Sequence, residues 1–558
     1  MISDKVNRIN PVFLQAGMAI IAALLFVPFL GKVHLFDWDE INFAESAREM
    51  IVTGDYLTVQ INFQPFWEKP PLFIWMQVLS MKLFGINEFA ARFPNAICGI
   101  ATLLVLFNIG KYIRDNLFGL LWVLAFAGSI LSFFYFKSGI IDPWFNLFIF
   151  LGVYFLMLYA FPADKRKLKN IILSAFFTGL AVLTKGPVGF LLVALTGGVF
   201  LILVRFRVKV RIIDVVLFFV VLALTGGSWF IIQILNGNFD TVVEFMVYQV
   251  RLFQTQDAGH GGFFGYHFVV LFAGVFPSSV LALKAFKKEP SDEVFYQYSK
   301  KWMLILFWVV LILFSIVKTK IVHYSSLAYF PLTFLAASFV YSLNMDKQKW
   351  NRWISAIIIS MSVLIALPVI LLQFIDKYKD WIIGSNMIND PFAVENLKAD
   401  VSWTGFEFIP GLLFLLAVIL IFIFIRKSEP VKRAALLWGV TMMFLFSVLL
   451  VHVPKIEQYS QNALVEFFKS KADEDVYLKN LHFKSYATWF YGRTKPPAND
   501  HFYDEIWLKS GDIDKDVWFV TKIHRAHLVE EFPELKETGR KNGFVFYQRK
   551  AVIQEEAP

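Results

Sequence analysis

The sequence predicts a polytopic α-helical membrane protein, and three observations carry that prediction. Of its 558 residues, 57% are hydrophobic and only 17% charged, where a soluble protein of this size carries charge on roughly a quarter of its residues. The apolar residues fall in blocks of about 18 to 25, the length a helix needs to cross roughly 30 Å of hydrocarbon. The cations are shared unevenly between the loops that join those blocks. Mean hydropathy is +0.58, and phenylalanine alone occurs 63 times.

The blocks give thirteen expected spans: residues 12–30, 93–110, 117–136, 143–161, 170–184, 187–204, 212–235, 267–283, 302–317, 321–342, 353–375, 408–425 and 433–452. The break at Thr184-Lys185-Gly186-Pro187 reads either as a boundary between spans or as a kink. The first block follows Lys5 and Arg8 but is long and shows no small-residue cleavage site, so it reads as a retained helix. A cytoplasmic N-terminus places Lys111 and Arg114, Lys165, Arg166, Lys167 and Lys169, and Arg205, Arg207, Lys209 and Arg211 on the cytoplasmic side. Lys284, Lys287, Lys288, Lys300 and Lys301, Lys347, Lys349 and Arg352, and Arg426, Lys427, Lys432 and Arg433 join them. That is the asymmetry of the positive-inside rule. An odd number of spans then leaves the C-terminus outside.

The net charge of +9 belongs to these short loops and does not point to nucleic acid. Cys98 is the only cysteine, so no intrachain disulfide forms.

Three regions read as extramembrane. Residues 31–92 form a first external loop, residues 236–266 a second with glycines near 259–265, and residues 453–558 a tail. The expected domains are therefore a membrane domain, 1–452, and a small external α/β domain, 453–558. In the tail, "DVYLKNLHF", "DVWFVTK" and "GFVFYQRK" alternate as strands do. "SQNALVEFFKSKA" and "AHLVEEFPELKE" read as helices.

Chemistry concentrates in the first loop. In "DWDEINFAESAREM", Asp37 suits an N-cap and Glu40, three residues on, completes a capping box. Asp39 falls in the first turn, where the helix dipole favours a carboxylate, and Glu45 and Arg48 are spaced to pair. "PFWEKPPLFIWMQVLSMKLFG" reads as a helix along the membrane surface, with Glu68 and Lys69 at a turn stiffened by Pro70 and Pro71. Asp142 precedes a proline in "SGIIDPW", a common helix start, and Lys185 lies in "LTKGPVGF". "FSIVKTKIVHY" adds Lys318, Lys320, His323 and Tyr324, and the second loop adds Tyr248, Gln249, Arg251 and His260. On this topology all emerge on one side, near helix ends, where ionisable groups are costly and usually functional. Carboxylates alternating with cations suit a site that handles an anionic phosphate and removes a proton.

"DEINFAESAREM…GDY…FWEKPPLFIW…LFGINEFAARFPN", "DPW", "TKGPVGF" and "VKTKIVHYSSLAYFPL" resemble, in order over about residues 30–340, the GT-C membrane glycosyltransferases of the protein O-mannosyltransferase superfamily. The nearest likeness is to the bacterial branch that modifies lipid A with aminoarabinose. The resemblance implies a GT-C fold with periplasmic juxtamembrane helices in the first loop, a bacterial inner membrane location, and a polyprenyl-phosphate sugar donor used on the periplasmic face. It assigns catalytic carboxylates to Asp39, with Glu40 in its Asp-Glu pair, and to Asp142. It places Lys69 near the donor phosphate and matches Lys185 to the family's Thr-Lys-Gly lysine; by charge and location, Arg251 and either Lys318 or Lys320 are further candidates to hold that phosphate. It also implies a divalent cation (Zn, Mg or Mn) with Glu68 as a ligand, and His260 is the candidate to substitute for the family's histidine ligand. Two positions depart from the aminoarabinose branch: Asn42 stands where an arginine is usual, and Tyr248-Gln249 where a Glu-His pair is usual.

The expected reaction moves a sugar to a hydroxyl or phosphate of an envelope acceptor: a lipid A-like glycolipid, a glycan or a protein. Asp39 acts as base and the anomeric centre inverts. The expected partners are the donor, membrane lipids and the acceptor, with the chain a monomer. Two alternatives stand beside it, transfer to protein Ser/Thr and, from another class, a lipid-linked sugar transporter or flippase. Transporters place paired charges near the bilayer midplane in broken helices, whereas here the charges fall at helix ends and in loops.

Overall fold

The computed structural model describes residues 2–254, 261–287, 293–345, 350–425 and 429–551. Each of the thirteen apolar blocks contains helix. Among the described residues seven helices are long and apolar enough to cross a membrane unaided. The pair Ile212–Thr225 and Ser228–Leu235, bent by 57°, makes an eighth. Other expected spans are shorter or broken. Block 117–136 divides into Asn116–Ala127 and Ile130–Tyr135, and block 267–283 divides at Pro277, which offers no N–H to continue the helix Tyr266–Gly274. Block 321–342 begins as the 3-10 turn Val322–Ala328 and continues as helix Tyr329–Asn344. This last segment is enclosed by its neighbours and forms the centre of the bundle.

The exterior of the bundle is apolar. Helix Ile212–Thr225 buries only Asp214 and turns Ile212, Phe219 and Leu224 outward, the inverse of a soluble helix and the pattern of one facing lipid. Asp214 is held by Arg211 at 2.7 Å and by the Tyr159 hydroxyl at 2.8 Å. Helices close tightly where side chains are absent: a Cβ at Gly179 would lie 1.7 Å from Thr225 Oγ1.

The first loop folds as helix Asp39–Thr53, a hairpin of Gln60–Ile61 with Gln64–Pro65, and helix Leu72–Phe84. The expected capping box does not form. Glu40 accepts the backbone N–H of Phe36, not of Asp37, and Asp37 accepts from Trp38 and from Tyr486 of the C-terminal region. Glu45 and Arg48 do pair, at 2.6 and 2.7 Å, fully buried. The second loop holds a helix the glycine-rich reading missed, Phe239–Gln254. Two further short helices, Ile375–Gly384 and Pro391–Leu397, follow the block 353–375.

Residues 462–549 build a four-stranded sheet with short helices against it. The strand order is Tyr477–Asn480, Val517–Lys522, Phe544–Arg549, Lys536–Lys541; the first pair is parallel and the rest antiparallel. The three expected strands are present, as is the helix Asn462–Ser470. The second expected helix, 526–537, is instead the end of a 3-10 turn, Ile523–Leu528, followed by the start of the strand Lys536–Lys541; Pro533 interrupts the helical pattern. One face of this sheet shares a core with the first loop. Ile41, Phe43, Ala47 and Phe73 pack in the same cluster as Leu464, Phe468, Phe490 and Tyr491.

Glu49 sits beneath that shared core and accepts the backbone N–H groups of Asn62 and Phe63 at 2.6 and 2.8 Å. Both donors have left-handed φ, 57° and 56°, so the carboxyl holds the hairpin tip in a conformation that costs free energy. Burial, followed by the charge of Glu45, pushes the Glu49 carboxyl up to about 9. Because its folded-state pKa is raised, the native state binds more protons than the unfolded chain between the ordinary carboxyl range and about 9. Stability therefore falls as pH rises through that window. Thermal unfolding of purified protein between pH 5 and 9 is expected to show this decline, and Glu49→Gln is expected to flatten it. An equal slope in the variant would remove Glu49 as its source.

Candidate active site

Four helix ends converge on one cavity. Asp39 is the first residue of helix Asp39–Thr53 and Asp142 the first of helix Asp142–Ala160. Lys185 is the last residue of helix Lys167–Lys185, and His323 lies in the 3-10 turn that enters the central helix. Each charge sits at the end its helix dipole favours, carboxylates at N-termini and ammonium at a C-terminus. Lys185 Nζ donates to Asp142 Oδ1 at 2.7 Å. His323 Nε2 lies between the two carboxylates, 3.6 Å from Asp39 Oδ2 and 3.8 Å from Asp142 Oδ2. The turn is pinned from the neighbouring helix: Asn146 donates to Ser326 Oγ at 2.6 Å, and that hydroxyl donates to the His323 carbonyl.

Glu68 and Lys69 enter from the first loop just ahead of Pro70 and Pro71. The Lys69 ammonium lies 5.5 Å from the centre of the Tyr248 ring. Burial lowers its pKa, opposed by the charge of Glu68. Tyr248 and Gln249 come from the unforeseen helix Phe239–Gln254, which also packs Phe245 against Gly186. That glycine has φ of 95°, and a Cβ there would meet Phe245 at 2.9 Å, so the Lys185-Gly186-Pro187 turn needs glycine on both counts.

The cavity has a volume of about 230 Å³. Asp39, Glu68, Lys69, Asp142, Lys185 and His323 line it together with Trp38, Asn42, Tyr248, Gln249, Tyr324, Lys484 and Tyr486. Phe145, Val188, Leu192, Phe314 and Leu327 complete an apolar part of its wall. The Asp39 side chain is half exposed, whereas that of Asp142 is 4% exposed. Asp39 is thus the carboxylate an incoming molecule can reach, and Asp142 is committed to Lys185.

Four expected site residues stand elsewhere. Glu40 is buried and fully engaged. Oε1 accepts from Arg92 Nε and Gly139 N, and Oε2 from Arg92 Nη2 and Phe36 N. A carboxylate with every lone pair taken cannot serve as a base, so Glu40 is structural. Lys320 caps the helix Val294–Ile316: its ammonium donates to the carbonyls of Phe314, Ser315 and Val317 at 2.9, 2.7 and 2.6 Å. Lys318 is exposed and does not line the cavity. Arg251 packs its guanidinium 5.1 Å from the centre of the Tyr248 ring, one residue layer outside. His260 lies outside the described residues.

Of the two expected metal ligands, Glu68 lines the cavity. Among the described residues no group of three or more His, Cys, Asp or Glu gathers at metal-holding distance. The cavity acids face lysines and a histidine instead, so the described residues do not by themselves fit a bound cation.

His323 belongs to no motif of its own, and its place in the same stretch as Lys318 and Lys320 is the signal the sequence offers. The helix that carries Tyr248 and Gln249 is findable from the apolar i, i+3, i+4 pattern of "FDTVVEFMVYQVRLFQ". Nothing in the sequence signals that Lys484 and Tyr486 reach the cavity that Asp39 lines.

The family model described as dolichyl-phosphate-mannose-protein mannosyltransferase matches residues 68–229. Over its whole length the chain superposes on the crystal structure of ArnT from Cupriavidus metallidurans bound to undecaprenyl phosphate, with a TM-score of 0.75 at 17% identity, covering 98% of this chain and 99% of that one. The chain has the GT-C membrane fold. Curated relatives of this chain include the undecaprenyl phosphate-alpha-4-amino-4-deoxy-L-arabinose arabinosyl transferase of Photorhabdus laumondii, 26% identical over 68% of this chain and 69% of the relative. The arabinosyl transferase of the same description from Shewanella sediminis is 26% identical over 72% and 76%. An uncharacterized Aquifex aeolicus protein is 28% identical over 58% and 64%. The family match spans Glu68, Lys69, Asp142 and Lys185, four of the seven Asp, Glu, Lys and His residues that line the cavity. Asp39, His323 and the C-terminal residues lie outside it.

Proposed function

We propose that this glycosyltransferase takes a sugar from a polyprenyl-phosphate donor and transfers it, with inversion, to a hydroxyl or phosphate of an envelope acceptor at the periplasmic face of the inner membrane. The acceptor class is a lipid A-like glycolipid, a glycan or a protein. One observation carries the reading: a solvent-reachable carboxylate, Asp39, shares a single cavity with the ammonium groups of Lys69 and Lys185. The arabinosyl transferase relatives are named for undecaprenyl-phosphate sugar donors, which agrees with it.

In this mechanism the acceptor oxygen attacks the anomeric carbon as the bond from that carbon to the phosphate oxygen breaks. The acceptor proton passes to Asp39, and the electron pair leaves with the polyprenyl phosphate. Lys69 and Lys185 offset the charge that develops on the departing phosphate, where preorganised donors act most strongly. Asp142 holds Lys185 in place, and His323 keeps the two carboxylates apart. The apolar wall accepts the first prenyl units.

The test is transfer of label from a radiolabelled undecaprenyl-phosphate sugar to envelope lipids or proteins by the purified chain, paired with mass spectrometry of the envelope of a deletion strain. Release of undecaprenyl phosphate with a labelled product is expected. Absence of transfer across pentosyl and hexosyl donors would overturn the reading. For Lys185→Ala, loss of a charge-assisted contact is expected to weaken donor use roughly 10- to 100-fold. Unchanged donor affinity and rate would count against a phosphate role. Cysteine labelling at position 39 from the outer face tests the orientation.

A further inference from the structure

The 3-10 turn Val322–Ala328 is held from two sides by buried polar groups. His267, fully buried in the helix Tyr266–Gly274, meets Ser325 Oγ through Nδ1 at 3.0 Å. Asn146, also buried, reaches Ser326 Oγ and through it the His323 carbonyl. Polar side chains inside an apolar bundle are costly and mark function. Two of them devoted to one turn fix the backbone of His323. Its ring is treated differently. No hydrogen bond among the described residues holds the imidazole, which stands 3.6 Å from Asp39 Oδ2 and 3.8 Å from Asp142 Oδ2. The buried ion pairs around it close further: Glu45 with Arg48 at 2.6 Å, Glu40 with Arg92 at 2.7 Å and Asp142 with Lys185 at 2.7 Å. A histidine placed only to bridge two acids would close likewise. A loose side chain on a fixed backbone suits a group that changes partner.

The charges of the cavity make the same point. Three carboxylates line it, Asp39, Glu68 and Asp142, and three lysines, Lys69, Lys185 and Lys484, balance them. His323 is the remaining lining side chain of a type that changes charge near neutral pH. A departing polyprenyl phosphate passes from a singly charged phosphodiester to a monoester with a second ionisable oxygen, so the balanced cavity turns negative when it holds that product. Asp39, having taken the acceptor proton, must also lose it before it can act again. Among the described residues the one basic side chain in ion-pair range of Asp39 is His323, through Nε2. Half of the Asp39 side chain is exposed but only 14% of the His323 side chain, so the acceptor meets the carboxylate and not the ring.

We infer that His323 takes from Asp39 the proton that Asp39 takes from the acceptor, and holds it as an imidazolium while the polyprenyl phosphate occupies the cavity. The Asp39 Oδ2–H bond breaks, an Nε2–H bond forms on His323, and Asp39 is left ionised for the next turnover. The imidazolium lies between Asp39 and Asp142, with Lys185 bonded to Asp142 and with Glu68, Lys69 and Lys484 on the cavity wall. Its proton passes to water as the product leaves. His323 acts through Asp39, and Ser325, Ser326, His267 and Asn146 set the height at which it does so. The inference rests on the proposed donor reading.

The experiment uses the full chain in nanodiscs, with undecaprenyl phosphate as the probe. Calorimetric titration in two buffers of unlike ionisation enthalpy counts the protons exchanged on binding. At neutral pH the wild type is expected to take up more protons than His323→Gln, by up to about one per site, while both bind. Turnover of a radiolabelled undecaprenyl-phosphate sugar gives a second readout. His323→Ala is expected to lose about 10²-fold in kcat with the KM for donor little changed. Added imidazole is expected to restore part of the loss, and pyrazole, a nonbasic ring of the same size, none of it. Equal proton uptake in the wild type and His323→Gln would overturn the inference. So would full turnover in His323→Gln, or rescue of His323→Ala by pyrazole as well as imidazole, either of which would reduce His323 to packing. Failure of the wild type to bind undecaprenyl phosphate would sink the donor reading and the proton role with it, whereas binding with equal uptake sinks the proton role alone.

Discussion

Asp39→Asn is expected to abolish measurable transfer while the protein folds and unfolds as the wild type does. The substitution keeps the shape of the side chain and removes its ability to take a proton. General-base catalysis contributes about 10²- to 10⁴-fold, or roughly 3–5 kcal/mol of transition-state stabilisation, and the only other cavity carboxylate without an ion-pair partner, Glu68, stands beside Lys69 rather than at the end of the helix that carries Asp39. Glu40 is saturated by four hydrogen bonds, and Asp142 is paired with Lys185. The fold has little reason to respond. The Asp39 side chain is half exposed, and its contact with His323, at 3.6 Å, is too long for a hydrogen bond. The loss should fall on kcat with undecaprenyl phosphate affinity retained. Full activity in this variant would remove the base assignment, and a collapse of donor affinity would move Asp39 from proton transfer to donor binding.

The membrane class and the helical blocks were legible because hydropathy reports them directly: lipid must be faced by apolar residues, and each block is one. The breaks inside blocks were less legible. The bend between Thr225 and Ser228 occurs at Gly226-Gly227 inside an unbroken apolar run, where hydropathy is blind to geometry. Within the site, Asp39, Glu68, Lys69, Asp142 and Lys185 were readable because charge at a span boundary is expensive and therefore conspicuous. The same rule drew in Glu40 and Lys320, which the structure spends on buried hydrogen bonds. Cost marks a residue as needed without saying for what. Lys484 and Tyr486 were unreadable, since an α/β tail gives no local sign of which loop it covers. That knowledge resides in the core shared by Ile41 and Phe43 with Phe468 and Tyr491.

Glu40→Ala is expected to cause the largest loss of stability of any change around the site. Glu40 and Arg92 are both buried, 2.7 Å apart at closest approach. Arg92 spends its remaining N–H donors on the carbonyls of Leu30, Val33 and His34. The pair thus ties the end of the first apolar block to the first turn of the helix that carries Asp39. Burial works against the Glu40 charge, yet Arg92 and two backbone N–H donors hold its carboxyl below the usual range. Removing it strands a buried guanidinium and orphans the N–H groups of Phe36 and Gly139, for a cost of about 3–5 kcal/mol. Replacing both partners by methionine should recover only part of this, because three carbonyls still lose their donor. Thermal unfolding in detergent measures the order: wild type, then Glu40→Gln, then the double variant, then Glu40→Ala. Activity per folded molecule separates structure from chemistry. Glu40→Gln should transfer sugar within several-fold of the wild type at low temperature; if it folds yet is as inactive as Asp39→Asn, Glu40 belongs to the reaction after all.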